Sequence, residues 1–308
     1  DTAMYSMQYL GPPIVWGSQI LADNVTILSD RAWAVAAGIV YWMGSGKFYM
    51  FDGRTATLQC DIRKFIFDDF NEDQNLQVFA STIEQYNEVW WFYCSITGPS
   101  GTGTPDNPNT TIDRYAVYNY LEKVWYYGTL ARTAWVDASV YSSYPIAADY
   151  NGRLIEHEKG CDDLATSTRT AITAYIVSSE FDIADGDKFG FVKRVLPDVT
   201  FAGSTAATEN QQLNMALLPM QNSGSGYTRG VDTVSETSNM SVALNNERTV
   251  QRLTDNSIER FSGTITPYQG NLYIRIRGRQ MAIRAKSTGI GVQWQLGKFR
   301  IDLREDGR

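Results

Sequence analysis

Long apolar runs are missing from the 308 residues: no stretch of 18 occurs, so no helical membrane span is expected. Histidine is nearly absent. His157 is the single one, so any Ser-His-Asp or Cys-His chemistry would have to pass through it. A hairpin histidine is the plainer reading of Leu154-Ile155-Glu156-His157-Glu158-Lys159-Gly160. Cysteine is scarce and odd in number. Cys60, Cys94 and Cys161 lie far apart with no CxxC spacing, which excludes a complete disulfide framework and gives no zinc signature. Buried free thiols of a protein made in a reducing cytoplasm are expected instead.

Signatures of catalysis and cofactor binding are also missing. Gly44-Ser45-Gly46-Lys47 lacks the first glycine and the following Ser/Thr of a phosphate loop, and Gly289-Ile290-Gly291 is half a dinucleotide fingerprint. Asp182, Asp185 and Asp187 lack the spacing of a calcium loop. Glu156, Glu158, Asp162 and Asp163 would suit a glycosidase pair or a cation site, yet carboxylates gather in turns for solvation alone. No catalytic, cofactor-binding or metal residue is therefore assigned, and no cofactor is expected. The chain opens on Asp1, without a Met or a signal-peptide pattern, and reads as entered mid-protein.

What is present is β-strand signal. Gly38–Cys60 holds an apolar run from Ile39 to Met43, a Gly44-Ser45-Gly46 turn, Lys47 to Phe51, an Asp52-Gly53 turn and Thr55 to Leu58. Aromatic and β-branched runs between glycine turns predict an antiparallel meander, about a propeller blade less its outer strand. The pattern returns in Glu88–Ser95 with Tyr115–Tyr120 and Lys123–Gly128, and again in Ile146–Gly160 around Asn151-Gly152. Val40, Val89 and Ala147 are 49 and 58 residues apart, the second gap holding the loop Thr97–Thr111. Blade repeats of roughly 40–50 residues fit this period. A β-sandwich of aromatic strands is the alternative.

Helix is expected only within Asp61–Gln85, as short turns at Ile62–Phe67 and Asn71–Gln77, the latter capped by Asn71. Near the start, Tyr5–Leu10, Ile14–Trp16 and Asn24–Leu28 read as strands. After Pro197 the texture turns rich in Ser, Thr, Asn and Gly, which places a boundary at residue 198: a β-propeller-like domain over 1–198 and a β-sandwich or barrel over 199–308. The strands Asn271–Arg277, Gln280–Lys286 and Lys298–Arg304 close the chain. Residues 271–308 carry nine Lys/Arg against three acids, a net +6, while the whole chain is −7, so residues 1–270 carry −13. Such a basic end on an acidic body predicts a contact with another copy or a partner. Tyr273, Arg275, Arg277, Arg279 and Arg284 are the candidate interface residues. Phosphate binding is disfavoured by the overall acidity, pI about 4.9, so a dedicated DNA-binding module is not expected.

The order GSGKFYMFDGRTATLQCDIRKFIFDDFNEDQNLQVFASTIEQYNEVWWFY resembles the central propeller segment of the packaged-DNA stabilisation proteins, the tail hub or nozzle proteins of short-tailed bacteriophages. YNYLEKVWYYG followed by AADYNGRLIEHEKGCDD is similar to the family's next blade, and LYIRIRGRQMAIRAKSTGIGVQWQLGKFRIDL to its terminal arginine-bearing strands. The likeness covers about residues 30–160 and 260–304. It implies a propeller joined to a second β domain, and a virion tail ring, assembled in the bacterial cytoplasm and of six copies. That ring would extend the portal and adaptor, retain packaged DNA and pass it without sequence reading. By this resemblance the chain is expected to be shorter than full-length members, which would leave early blades outside it and propeller closure open. Reversing Arg275 and Arg277 to Glu is expected to block assembly. A glycan-binding or glycan-cleaving phage receptor protein is the competing reading, and it requires an exposed cleft of aromatics and carboxylates.

Overall fold

The computed structural model describes residues 2–164, 168–178, 180–182, 186–220, 262–267 and 270–307. Most of the ordered backbone is β, in several small antiparallel sheets, and among the described residues no sheet closes into a barrel. No helix among them is long and apolar enough to cross a membrane. The chain forms two compact units, Asp1–Lys159 and Gly160–Arg308. The expected boundary at residue 198 is thus replaced by one at Lys159/Gly160. Strands at residues 174–196 pair with strands near the C-terminus, and a local shift in composition carries no sign of such long-range pairing.

Unit 1 opens with a hairpin of β1 (Ala3–Tyr9) and β2 (Trp16–Asp23). Asn24–Leu28, expected as a strand, is not one. The next sheet is β3 (Trp33–Ala36), β4 (Ile39–Gly44), β5 (Lys47–Phe51) and β6 (Thr55–Leu58), a four-stranded meander in chain order. The strand missing from the three-strand reading is β3, whose alternation is inverted: Ala34 and Ala36 point inward and Trp33 and Val35 outward. Then come α1 (Arg63–Asp68) and a 3₁₀ turn at Glu72–Gln77, with Asn71 accepting the Asp73 N–H as its cap. A second meander follows: β7 (Phe79–Ile83), β8 (Glu88–Tyr93), β9 (Arg114–Asn119) and β10 (Val124–Thr129). The third sheet is β11 (Ala134–Val136), β12 (Ile146–Ala148) and β13 (Leu154–Glu156).

Strand β8 explains how these sheets stack. Its residues are all buried, so its continuous apolar run reflects cover on both faces and not a helix. Val89, Trp91 and Tyr93 join a core with Ala34, Tyr41, Met43 and Phe48 of the first sheet. Trp90 and Phe92, alternating with them, join a second core with Trp135 and Ala147 of the third sheet. The middle sheet is therefore packed between its two sequence neighbours. Trp91 sits at the centre of the first core, its ring 4.9 Å from Phe48 and 5.7 Å from Trp125, its Nε1–H donating to the Ala32 carbonyl.

The loop at 97–111 has no apolar anchor but is held at its roots by polar groups. Asp113 accepts from the Ser95 N–H at 2.8 Å, the Ser95 hydroxyl at 2.7 Å and Asn109 Nδ2 at 3.1 Å. Asp69 accepts from the Thr97 N–H and hydroxyl, and Arg114 lies between both carboxylates, 3.4 Å from Asp69 and 3.5 Å from Asp113. Cys94 beside this network is fully buried, and burial pushes its thiol pKa up to about 12.

In unit 2, the short strands β14 (Asp162–Asp163) and β15 (Thr170–Ala171) pair with each other. They are followed by β16 (Ala174–Val177), β17 (Phe181–Asp182), β18 (Gly190–Leu196) and β19 (Val199–Thr200). Next are β20 (Leu213–Met220), β21 (Ser262–Ile265), β22 (Leu272–Gly278), β23 (Gln280–Ser287), β24 (Gln295–Leu296) and β25 (Arg300–Glu305). One sheet runs β16-β23-β20-β21, with β17 also on β23; another runs β22-β18-β25. Both contribute to one core, through Val192, Val195, Leu272 and Ile276 from one sheet and Met215, Leu217, Met281 and Ile283 from the other. The three closing strands are divided between these two sheets, β22 and β25 in one and β23 in the other. The polar stretch expected to begin the second domain lies, over 221–249, outside the described residues.

Candidate functional site

The sheet β22-β18-β25 places the candidate interface. Ile276, Val192 and Leu303 lie opposite one another, as do Leu272, Val195 and Ile301, and their side chains join the core. The alternate positions form the other face: Arg277 opposite Phe191 and Arg304, Tyr273 opposite Arg194 and Asp302. Arg275 on β22 and Arg300 on β25 share it by alternation and are exposed. Five arginines, Arg194, Arg275, Arg277, Arg300 and Arg304, thus stand on one sheet face with Asp302 as the one acid in register with them. Sequence reasoning missed Arg194; the signal is the shared alternation of β18, visible once β18 is known to pair with β22.

Not all of this charge is available to a partner. The Arg277 guanidinium stacks 4.2 Å from the Phe189 ring centroid and pairs with Asp306 at 2.8 Å. Arg279, just past the strand, stacks on the same ring at 4.6 Å and donates to the carbonyls of Gly186 and Asp187. Phe189 is itself pinned to the C-terminal segment, its N–H donating to the Gly307 carbonyl and its carbonyl accepting from Asp306. These two arginines therefore brace the sheet's end. Tyr273, 67% exposed, and Arg275 remain turned to solvent.

Arg284 does not belong to this face. Strand β23 lies between β16 and β20, its side chains on both faces are mostly buried, and Arg284 is only 9% exposed. Burial pushes its pKa down to about 10, which leaves it charged at neutral pH. Three of the five expected interface residues, Tyr273, Arg275 and Arg277, thus share one face along β22, Arg279 lies just past its end, and Arg284 is in the other sheet.

His157 has a local role. Its ring stacks 4.4 Å from Trp135, and its Nε2 accepts from Arg132 Nε at 3.0 Å. Cys161, four positions on in sequence, belongs to the other compact unit. Of the carboxylates noted in the sequence, Glu156 pairs with Lys159 and the buried Asp162 with Arg169, both structural uses.

A carboxylate pair that sequence reasoning missed is Glu88 and Glu158. Glu88, buried at the head of β8, accepts the Trp90 indole N–H at 2.9 Å and a hydrogen bond from Tyr126. Glu158 accepts one from Tyr86, and desolvation followed by the charge of Glu88 raises its pKa above the ordinary carboxylate value. The folded state therefore holds this proton more tightly than the unfolded chain. Stability tied to it is present at acid pH and falls as pH rises from about 4.5 through the raised value. Glu158→Gln is expected to raise Tm slightly at pH 7, by about 1–3 °C because the side chain is solvent-accessible. The gain should vanish near pH 4, and thermal melts at both pH values check it. Trp90 and Trp135, which flank the pair, are buried, so the cluster is a packed stack and not an open cleft.

No protein-family model matches the chain, and no curated protein matches it. Chemically, the planar cations of the arginine face, with Tyr273 beside them, can pair with carboxylates or phosphates.

Proposed function

We propose that the chain is a structural subunit of a short-tailed bacteriophage tail, a hub or nozzle ring below the portal and adaptor that retains packaged DNA and gives it a channel for ejection. The observation that carries this reading is the arginine face on β22-β18-β25 in a chain whose remainder is strongly acidic. Neighbouring copies in a ring meet through different surfaces, so a cationic face on one needs an acidic face on the next. Acidic channel walls repel phosphate and let DNA slide. The likeness of residues 30–160 and 260–304 to the hub family supports the same reading.

The stacked sheets of unit 1 are read as consecutive propeller blades, since two are four-stranded meanders and β8 packs against both neighbours. Unit 2 is read as a β-sandwich, two sheets over one core. In this reading the chain is not an enzyme and carries no cofactor; it acts in the virion as a ring, taken as six copies.

Arg277 is tied to Asp306, so the cleaner test replaces the exposed Arg275 and Arg300 by Glu. Assembly onto a portal–adaptor preparation should fall at least ~10-fold, with far-UV circular dichroism unchanged. Unaltered assembly would sink the arginine contact. A glycan-binding receptor protein is the competing reading; it needs an open cleft, which the buried Glu88 and the Trp90–Trp135 stack beside it do not supply, and a glycan array and a hydrolysis assay test it.

A further inference from the structure

One face of the β1–β2 hairpin is left bare by the described residues of its own unit. Residues 2–22 contain no charged side chain. In the hairpin register Tyr9 opposes Trp16 and Tyr5 opposes Ile20, with Met7 between, so these five share a face. That face is bare: Tyr5 is 60% exposed, Met7 68%, Tyr9 65%, Trp16 58% and Ile20 48%. Ser6, Gln8 and Gln19 take the opposite face. Tyr9 and Trp16 are already set edge to face, centroids 5.6 Å apart, so the surface is ordered before any partner arrives. A lone two-stranded hairpin is marginal in water, and each of its strands leaves an edge unpaired.

Unit 2 has a matching element. Strand β16 is an edge strand of its sheet among the described residues, and Tyr175, Ile176 and Val177 are 62%, 53% and 41% exposed. Residues 170–179 are also uncharged. An open edge with bare aromatic and β-branched side chains is a template for another strand.

We propose that the β1–β2 hairpin of one copy adds to the β16 edge of a second copy. Charge permits this occupant. Both stretches are neutral, so copies of a chain with net charge −7 can meet there without like-charge repulsion. Exposure on the joining strand supports it too: pairing at the β1 edge brings the flanks of Tyr5, Met7 and Tyr9 into the contact, while Trp16 and Ile20 lie one strand further away. Tyr5, Met7 and Tyr9 would then lie beside Tyr175 and Val177, a favourable class of cross-strand neighbour. The contact joins different surfaces on the two copies, so it is head-to-tail: it closes into a ring or runs on as a chain. It stands independently of the tail reading, because it needs no arginine face and no DNA.

The test is sedimentation velocity on the full chain across a concentration series. Two variants at exposed sites are used, Met7→Glu with Tyr9→Glu in the hairpin and Tyr175→Glu at the edge. Wild type should associate, and each variant alone should associate at least ~10-fold more weakly. Mixed in equal amounts, they should form dimers that stop at two, because each retains the half the other lacks. A monomeric wild type, association unaffected by either variant, or a mixture that stays monomeric overturns the proposal. So does a monomer that instead co-sediments with neutral phosphatidylcholine vesicles, which would make the hairpin a membrane-contacting arm.

Discussion

Trp91→Ala is expected to cost unit 1 about 3–5 kcal/mol, the range for removing a fully buried tryptophan. The indole contributes more than volume. It contacts Phe48 and Trp125 across the first core and donates to the Ala32 carbonyl, so truncation leaves both a cavity and a buried acceptor. Against a domain stability of about 5–15 kcal/mol, this is a large fraction. Seven of the eight tryptophans lie before residue 160, so indole fluorescence during urea denaturation reports on unit 1 almost alone. The midpoint should drop by about 1–3 M urea. Trp91→Phe, which keeps most of the volume, should lose less. An unchanged midpoint for the alanine variant would mean that β8 does not sit in the core described.

Asp113→Ala should be comparably damaging for a different reason. The carboxylate is 2% exposed and satisfies the Ser95 N–H, the Ser95 hydroxyl and Asn109, with Arg114 beside it. Removing it strands buried donors and a half-buried cation, and breaking such a set costs about 3–5 kcal/mol. The loss should also have an address. Asn109 links this network to the 97–111 loop, so proteinase K should cut there in the variant at a denaturant concentration where wild type resists. Asp113→Asn keeps an acceptor for the Ser95 hydroxyl and should fall between. Equal protease resistance in all three would show that the loop is held by something else.

How much of this was legible in the sequence depended on the range of the interaction. The turn at Gly44-Ser45-Gly46 and the runs on either side predicted β4 and β5, because a hairpin is encoded by neighbours. Asn71 as a cap was equally local. Strand β3 was missed because its small residues face inward and its large ones outward. The boundary at Lys159/Gly160 was hidden because β16 and β18 find their partners some 80–110 residues away, beyond what composition reports. The same non-locality separates Arg284 from Arg275 and Arg277: alternation put all three on strands, but the sheet order places β23 in the other sheet, and burial of its alternate residues shows that both its faces are covered. The Asp69–Arg114–Asp113 network and the Glu88–Glu158 pair join residues far apart in sequence. Their one local hint is a carboxylate beside a buried aromatic strand.

The most direct measurement is mass by light scattering on the purified chain, alone and with a portal–adaptor preparation. A tail-hub subunit should give a ring of defined stoichiometry, alone or once the adaptor is present. A monomer that ignores the adaptor at every concentration would contradict the tail assignment and turn attention to the glycan-binding reading.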